Sequence, residues 1–265
     1  MTPTFTVLIG ACAYDRPDRA ATLRHTLDSI ARQDRRPGDQ VIVSIDSFEQ
    51  DKALVAERQA LVFSYGLGFI VMAYDSGYHF FGVEQINAAL MTVCITGSHI
   101  ITMGDDDVFV DGAYAKLRPL CAANPLQPIL YRFLAPWREV LWDRPRMEMS
   151  RISGCCIAAP RQFVGPMDTR TTWPDSDRPF VEHDFFWIQD ILAKAPIHPL
   201  WLTEILVIAR PDLRGDDVAH RGVMQCWHCR TVRYFEDIDI LNPYCPQCRA
   251  VADMPGRPVA MMGSR

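Results

Sequence analysis

Three aspartates in a row, Asp105, Asp106 and Asp107, close the apolar run 100–103. Carboxylates crowded at a strand end repel one another, and burying them costs free energy unless a cation or a set of donors compensates. A divalent metal is the simplest partner. On an extended segment Asp105 and Asp107 point the same way, so both can face one ion while Asp106 faces the opposite side. An exposed acidic turn is the competing reading. A second set is more specific: Cys226, Cys229, Cys245 and Cys248 fit C-x2-C-x15-C-x2-C, the spacing of a four-cysteine zinc ribbon. Each pair offers two thiolates on a tight knuckle, and residues 231–244 between them are long enough for a hairpin. So small a unit cannot build a core, and the metal would supply its folding energy. A redox dithiol is the alternative, and His228 inside the first knuckle reads as a spectator.

Elements must position these groups. Residues 7–13, 40–46, 67–75 and 99–103 are short apolar or β-branched runs ending near turns or polar clusters. Helical patterns lie between them at 18–33, with Leu23, Leu27 and Ile30 on one face, at 48–65 and at 82–95. Such alternation predicts parallel βαβ units with the sheet covered on both faces. In these sheets ligands bind beyond the carboxyl ends of the strands, which is where Asp105–Asp107 fall.

With 265 residues, 49% hydrophobic and 22% charged, the chain can bury one large core, or one domain and a small appendage. The apolar run 199–209 is broken by Thr203 and Glu204 and is too short to span a bilayer, and the N-terminus lacks a secretory pattern. A cytoplasmic protein without membrane attachment is expected. In that setting the nine cysteines are thiols or metal ligands rather than disulfides. Cys12, Cys94, Cys121, Cys155 and Cys156 have no ligand spacing and read as core. A net charge of −5 gives no general attraction to nucleic acid or anionic membrane.

The stretches "TVLIGACAYDRPDRAATLRHTLDSIARQ", "VIVSID", "GVEQINAALMTV" leading into "HIITMGDDDVF", "SGCCIAAPRQFVG" and "VEHDFFW" together resemble the GT-A fold, inverting glycosyltransferases of the family 2 type. The resemblance covers residues 5–222 and rests on the order and spacing of the motifs. It implies an α/β, Rossmann-like, mostly parallel sheet flanked by helices over residues 1–222, followed by the zinc ribbon at 223–252 and a tail at 253–265. It also implies transfer of a hexose from a nucleotide sugar, a UDP-hexose by expectation, with Mn²⁺ or Mg²⁺ as cofactor and structural Zn²⁺ in the ribbon. Ala13, Tyr14, Arg16 and Asp46 would hold the nucleotide, Tyr14 by stacking on the base and Asp46 by accepting hydrogen bonds from base or ribose. Asp75 ends a strand and either joins this pocket or forms an Asx turn. Asp105 and Asp106 would lie at the donor, and Asp105 and Asp107 would hold the ion. His220 would complete the metal site, or is an ordinary surface histidine.

"VEHDFFW" departs from the family's adjacent Glu-Asp pair. Aligned on the following aromatics, Asp184 takes the place of the catalytic base; aligned on the acid alone, Glu182 competes. Asp184 is preferred because it would open a helix over 184–193, where the helix N-terminus keeps a carboxylate ionised. An N-cap role is the structural alternative. Asp175 and Asp177 read as a solvated loop.

The acceptor is the least determined part. A compact chain with a terminal zinc ribbon is similar to phage enzymes that glycosylate hydroxymethylated bases in DNA, so a 5-hydroxymethylated pyrimidine in DNA is the expected acceptor. A base would have to be flipped out, with His79, Phe80, Phe81, Trp137 or Trp173 as candidate wedges. Two other readings stay open: a glycosyltransferase acting on a glycan, protein or small molecule, and a non-catalytic zinc-ribbon binding module on a GT-A scaffold.

Overall fold

The computed structural model describes residues 2–11, 19–46, 52–74, 82–134, 140–142, 145–148, 152–167, 183–209, 223–225 and 232–234. The chain divides into two compact units, Met1–Pro211 and Asp212–Arg265.

In the first unit, β1 (Phe5–Ala11) and β2 (Gln40–Asp46) are buried at every position. That is the burial expected of strands covered on both faces, where a continuous apolar run replaces alternation. With β3 (Phe69–Tyr74) and β4 (His99–Gly104) they form a parallel set in the order β3-β2-β1-β4. The connections run through α1 (Arg19–Ala31), α2 (Lys52–Phe63) and α3 (Val83–Thr92). The register sets Gly10 opposite both Ser44 and Gly104, and Asp46 opposite Tyr74, so the carboxyl ends share one edge. The chain order reverses at β1, which lies between β2 and β4. That is the topological switch point where the following loops open a crevice.

Beyond β4 the sheet is mixed, which corrects the mostly parallel sheet expected from the sequence. The remaining elements are β5 (Asp107–Phe109), α4 (Ala113–Ala123), β6 (Ile129–Leu134), β7 (Val140–Leu141), β8 (Ile157–Pro160), α5 (His183–Lys194) and β9 (Leu200–Ala209). The strand order continues β8-β6-β9-β5, with β7 on β6. β8 runs antiparallel to β4 and β6, while β9 runs parallel to β6 and antiparallel to β5. β9 is the apolar run 199–209, spent on a strand. Among the described residues no helix is long and apolar enough to cross a membrane.

The opposite, amino-terminal edge of the sheet is sewn together by a buried ion pair. Both terminal nitrogens of Arg118 on α4 donate to the carboxylate of Asp39, and they also reach the carbonyls of Pro3 at 2.8 Å and Asp34 at 2.6 Å. Asp39 also accepts the backbone N–H groups of Phe5 at 2.8 Å and Arg36 at 2.7 Å. The guanidinium lies over the rings of Phe5 and Tyr114. Charge pairing and the bonds of both terminal nitrogens are what allow two charges to be buried, although Arg118 Nε has no partner among the described residues.

His99 opens β4 on the same edge, 1% exposed, with Nδ1 3.0 Å from the Ser98 hydroxyl. Burial lowers its pKa from 6.5 to about 4. Between those values the unfolded chain binds a proton that the folded chain refuses, so stability is complete above about pH 6.5 and falls as pH drops toward 4. The loss is on the order of 3 kcal/mol across that window. Thermal melts of His99→Gln are expected to show a shallower decline over this range than the wild type; parallel declines would remove His99 as the cause.

In the second unit, β10 (Val223–Gln225) and β11 (Val232–Tyr234) pair antiparallel, with Val223 opposite Tyr234 and Gln225 opposite Val232. The six residues that join them, 226–231, include Cys226 and Cys229 and lie outside the described residues. The described hairpin brackets the first cysteine pair, and residues 235–244 of the stretch between the two pairs lie outside the described residues.

Candidate functional site

β4 ends at Gly104 and β5 starts at Asp107, so Asp105 and Asp106 form the tight turn between them. The extended geometry expected for the triplet is therefore replaced by a reversal of the chain. Asp105 and Asp107 are nevertheless the buried pair, 4% and 8% exposed, and Asp106 is half-buried. The Gly104 N–H donates to Asp107 Oδ2 at 3.2 Å. A Cβ on Gly104 would lie 2.9 Å from Asp106 Oδ1 and 3.0 Å from Asp107 Oδ2, so only glycine lets both carboxylates fold back over the turn.

β5 is fixed from two sides. Asp107 pairs with Ala209 of β9. The Ser29 hydroxyl of α1 accepts the Phe109 N–H at 3.1 Å, and Gln33, two residues past the end of α1, bridges the Val110 carbonyl at 3.0 Å and the Tyr114 N–H at 3.2 Å. The helix thus holds the strand that carries Asp107, a role its apolar spacing does not reveal.

Asp184 lies in the first turn of α5, which begins at His183, one residue before the expected start. Its carboxylate is anchored from another element: Oδ2 accepts the Gly154 N–H at 2.8 Å. Gly154 opens a short 3-10 turn, Gly154–Cys156, that leads into β8. A Cβ at Gly154 would meet Thr102 Oγ1 at 2.9 Å and Asp184 Oδ1 at 3.1 Å, which sets Asp184 beside β4 near its carboxyl end. The next residue, Cys155, is buried, and its thiol is pushed well above the usual range. Burial is the main cause; a hydrogen bond with Cys156 and the charges of Cys156 and Asp107 add to it. Cys155 is therefore a packed thiol lying within the field of Asp107.

Two further clamps steady this region. Asn87 of α3 makes a two-way bond with the backbone of Met167, at 2.9 and 2.8 Å. Trp187 of α5 donates its indole N–H to the Gly165 carbonyl at 2.8 Å. On the other flank, α3 starts at Gly82, whose φ of 72° is left-handed, and its backbone sits directly on Gly10 of β1. A Cβ at Gly10 would come within 2.4 Å of the Gly82 carbonyl oxygen.

Asp46 ends β2 fully buried. Ala13, Tyr14, Arg16, Asp75, Glu182, His220, Cys226, Cys229, Cys245 and Cys248 lie outside the described residues, as do His79, Phe80, Phe81, Trp137 and Trp173. Among the described residues no three His, Cys, Asp or Glu side chains converge on a metal position. Asp105 and Asp107 supply two hard oxygen donors at one turn, which suits an ion of the Mn²⁺ or Mg²⁺ kind that takes its other ligands from a phosphate group and water. Sequence reasoning missed Gly154, Thr102, Ser29 and Gln33. A glycine just before two buried cysteines and an apolar run is a signal of close backbone approach, and it could have marked Gly154.

No protein-family model and no curated protein matches the sequence. Solved structures match the fold. Residues 1–349 of TarS from S. aureus give a TM-score of 0.54 at 14% identity, over 78% of this chain and 60% of that one. The mannosyltransferase PcManGT from Pyrobaculum calidifontis, in complex with GDP-Man and Mn²⁺, gives 0.52 at 14% identity, over 79% and 57%. GalNAc-T7 with UDP, GalNAc and Mn²⁺ gives 0.52 at 11% identity, over 78% and 44%. This chain thus spans about 60% or less of the length of each. The architecture that sets Asp105, Asp107 and Asp184 around the end of β4 is the GT-A fold.

Proposed function

We propose that this protein is a metal-dependent glycosyltransferase that moves a hexose from a nucleoside diphosphate sugar, UDP-linked by preference, to a hydroxyl acceptor with inversion. The observation that carries this reading is the Gly154 N–H, which holds Asp184 beside Thr102 of β4, the strand that ends at the Asp105–Asp107 turn. A carboxylate suited to proton transfer is thereby brought close to a carboxylate pair suited to a metal. The fold likeness supports it, since TarS has been solved with UDP-GlcNAc and with UDP, and PcManGT with GDP-Man and Mn²⁺.

In this mechanism Asp105 and Asp107 would hold Mn²⁺ or Mg²⁺. The bound ion supplies Lewis-acid stabilisation of the charge that grows on the leaving diphosphate. Asp106 reaches toward the donor, while Asp46, with Ala13, Tyr14, Arg16 and Asp75 from neighbouring loops, holds the nucleoside. Asp184 takes the acceptor's hydroxyl proton as that oxygen attacks the anomeric carbon from the face opposite the diphosphate. Glu182 is the rival base, and single replacements of each separate the two.

The four cysteines Cys226, Cys229, Cys245 and Cys248 hold a structural Zn²⁺. The β10–β11 hairpin that brackets Cys226 and Cys229 supports this, because such a hairpin presents two thiolates from one loop. The acceptor proposed is a 5-hydroxymethylated pyrimidine in DNA, on the strength of the sequence resemblance.

The test is a transfer assay on the full chain with manganese and a panel of nucleotide sugars. Duplex DNA carrying 5-hydroxymethylcytosine or cytosine is offered, and the nucleosides are read by mass spectrometry. The expected result is a hexose gain on the modified base alone, absent in Asp184→Asn. Slow donor hydrolysis without any gain on DNA would discard the DNA acceptor and keep the transferase; no turnover of any nucleotide sugar would discard both.

A further inference from the structure

The backbone at Gly154 is not left-handed, so its conformation suits any residue. What the position excludes is volume. A methyl group there would press on Thr102 Oγ1 at 2.9 Å and on Asp184 Oδ1 at 3.1 Å. Neither wall retreats easily. Thr102 is 2% exposed in the middle of the sheet, and its hydroxyl has no hydrogen-bond partner among the described residues. Asp184 rides on a helix pinned by buried Phe185, Ile188 and Ile191 and by the Trp187 bond to Gly165.

We propose that Gly154 is the positioning residue for Asp184: its N–H holds Oδ2, and its bare Cα leaves the room that Oδ1 occupies. The role rests on the reading of Asp184 as the base. It explains why a glycine stands at a place that needs no unusual φ. It also gives Thr102 a part as the second wall of a slot one methyl wide. A side chain at 154 would swing Oδ1 out of line while leaving the donor pocket alone.

Two measurements on the full chain test this. In ¹H–¹⁵N NMR spectra, the Gly154 amide is expected to be downfield-shifted and slow to exchange, and to lose both properties in Asp184→Ala while other resonances stay in place. An amide that is unchanged in Asp184→Ala overturns the proposal whether or not the protein turns over a donor. In steady-state kinetics, Gly154→Ala is expected to lower kcat about tenfold to a hundredfold while the donor KM moves by no more than about twofold. Adding Thr102→Ala to Gly154→Ala should restore part of kcat as one wall withdraws. Wild-type kcat in Gly154→Ala, or a loss that Thr102→Ala deepens, overturns the role. A wild-type protein that consumes no nucleotide sugar while its Gly154 amide behaves as expected would strike down the transferase reading and the role with it, leaving only the hydrogen bond.

Discussion

Asp107→Asn is expected to lower manganese-dependent turnover by about 10³-fold, without unfolding the protein. Asparagine keeps the shape of the side chain and still offers an oxygen to the Gly104 N–H, so the 3.2 Å bond that closes the turn survives. What disappears is one negative charge from a turn holding three. In the absence of metal that removal relieves repulsion among Asp105, Asp106 and Asp107, and the variant should melt at or above the wild-type temperature. Adding manganese should then separate the two proteins, because a ligand that binds only the folded state raises stability with the logarithm of one plus its concentration divided by its Kd. The wild type gains melting temperature with manganese and Asp107→Asn does not. An acidic turn with no ligand would give equal melting shifts and equal activities, and that result would end the metal assignment.

Arg118→Met is expected to cost about 3–5 kcal/mol of folding stability, read as a lower midpoint with an unchanged slope in urea titration. The cost comes from the partner left behind. Asp39 would keep the N–H groups of Phe5 and Arg36 but lose its counter-charge, and the carbonyls of Pro3 and Asp34 would lose their donor. If this account is right, Asp39→Leu added to Arg118→Met recovers a large part of the loss, since a removed pair is far less costly than a broken one. Additive losses in the double variant would mean that the two residues act independently, and a single-variant cost under about 1 kcal/mol would reduce the pair to surface value.

The sequence carries the parallel half of the sheet plainly and the mixed half poorly. β2 runs over the predicted residues, and β1, β3 and β4 lie within two residues of theirs at either end, because a strand buried on both faces is a solid apolar run bounded by turns. The second half is built from short pieces. β5 has three residues, β7 two and β8 four, too few to display a period, and the partners of β5 and β8 come from far along the chain. α4 is disguised by Pro119 inside it, a residue that normally ends a helix, and is kept in place through Arg118. The site shows the same division. The triplet Asp105–Asp107 stands out by residue type and spacing and Asp184 by the family resemblance, yet the geometry inferred for each differs from what the fold supplies. The triplet is a reversal because Gly104 and the β5–β9 pairing turn the chain. Asp184 is bonded by Gly154, thirty residues upstream, rather than by its own helix start. Spacing says which groups exist; only tertiary pairing says which way they face.

The contact of Gly10 with Gly82 has a consequence for how such a molecule can change. It is main chain against main chain, so no trimmed neighbour can make room for a side chain at either position. Gly82 is restricted twice over, by the left-handed backbone and by the lack of space. No succession of single tolerated replacements leads away from this pair, and the gap between the first strand and the third helix is locked against gradual drift. New ligand preferences on that flank would have to arise in the neighbouring loops, which can be lengthened, shortened or exchanged without moving the two backbones apart.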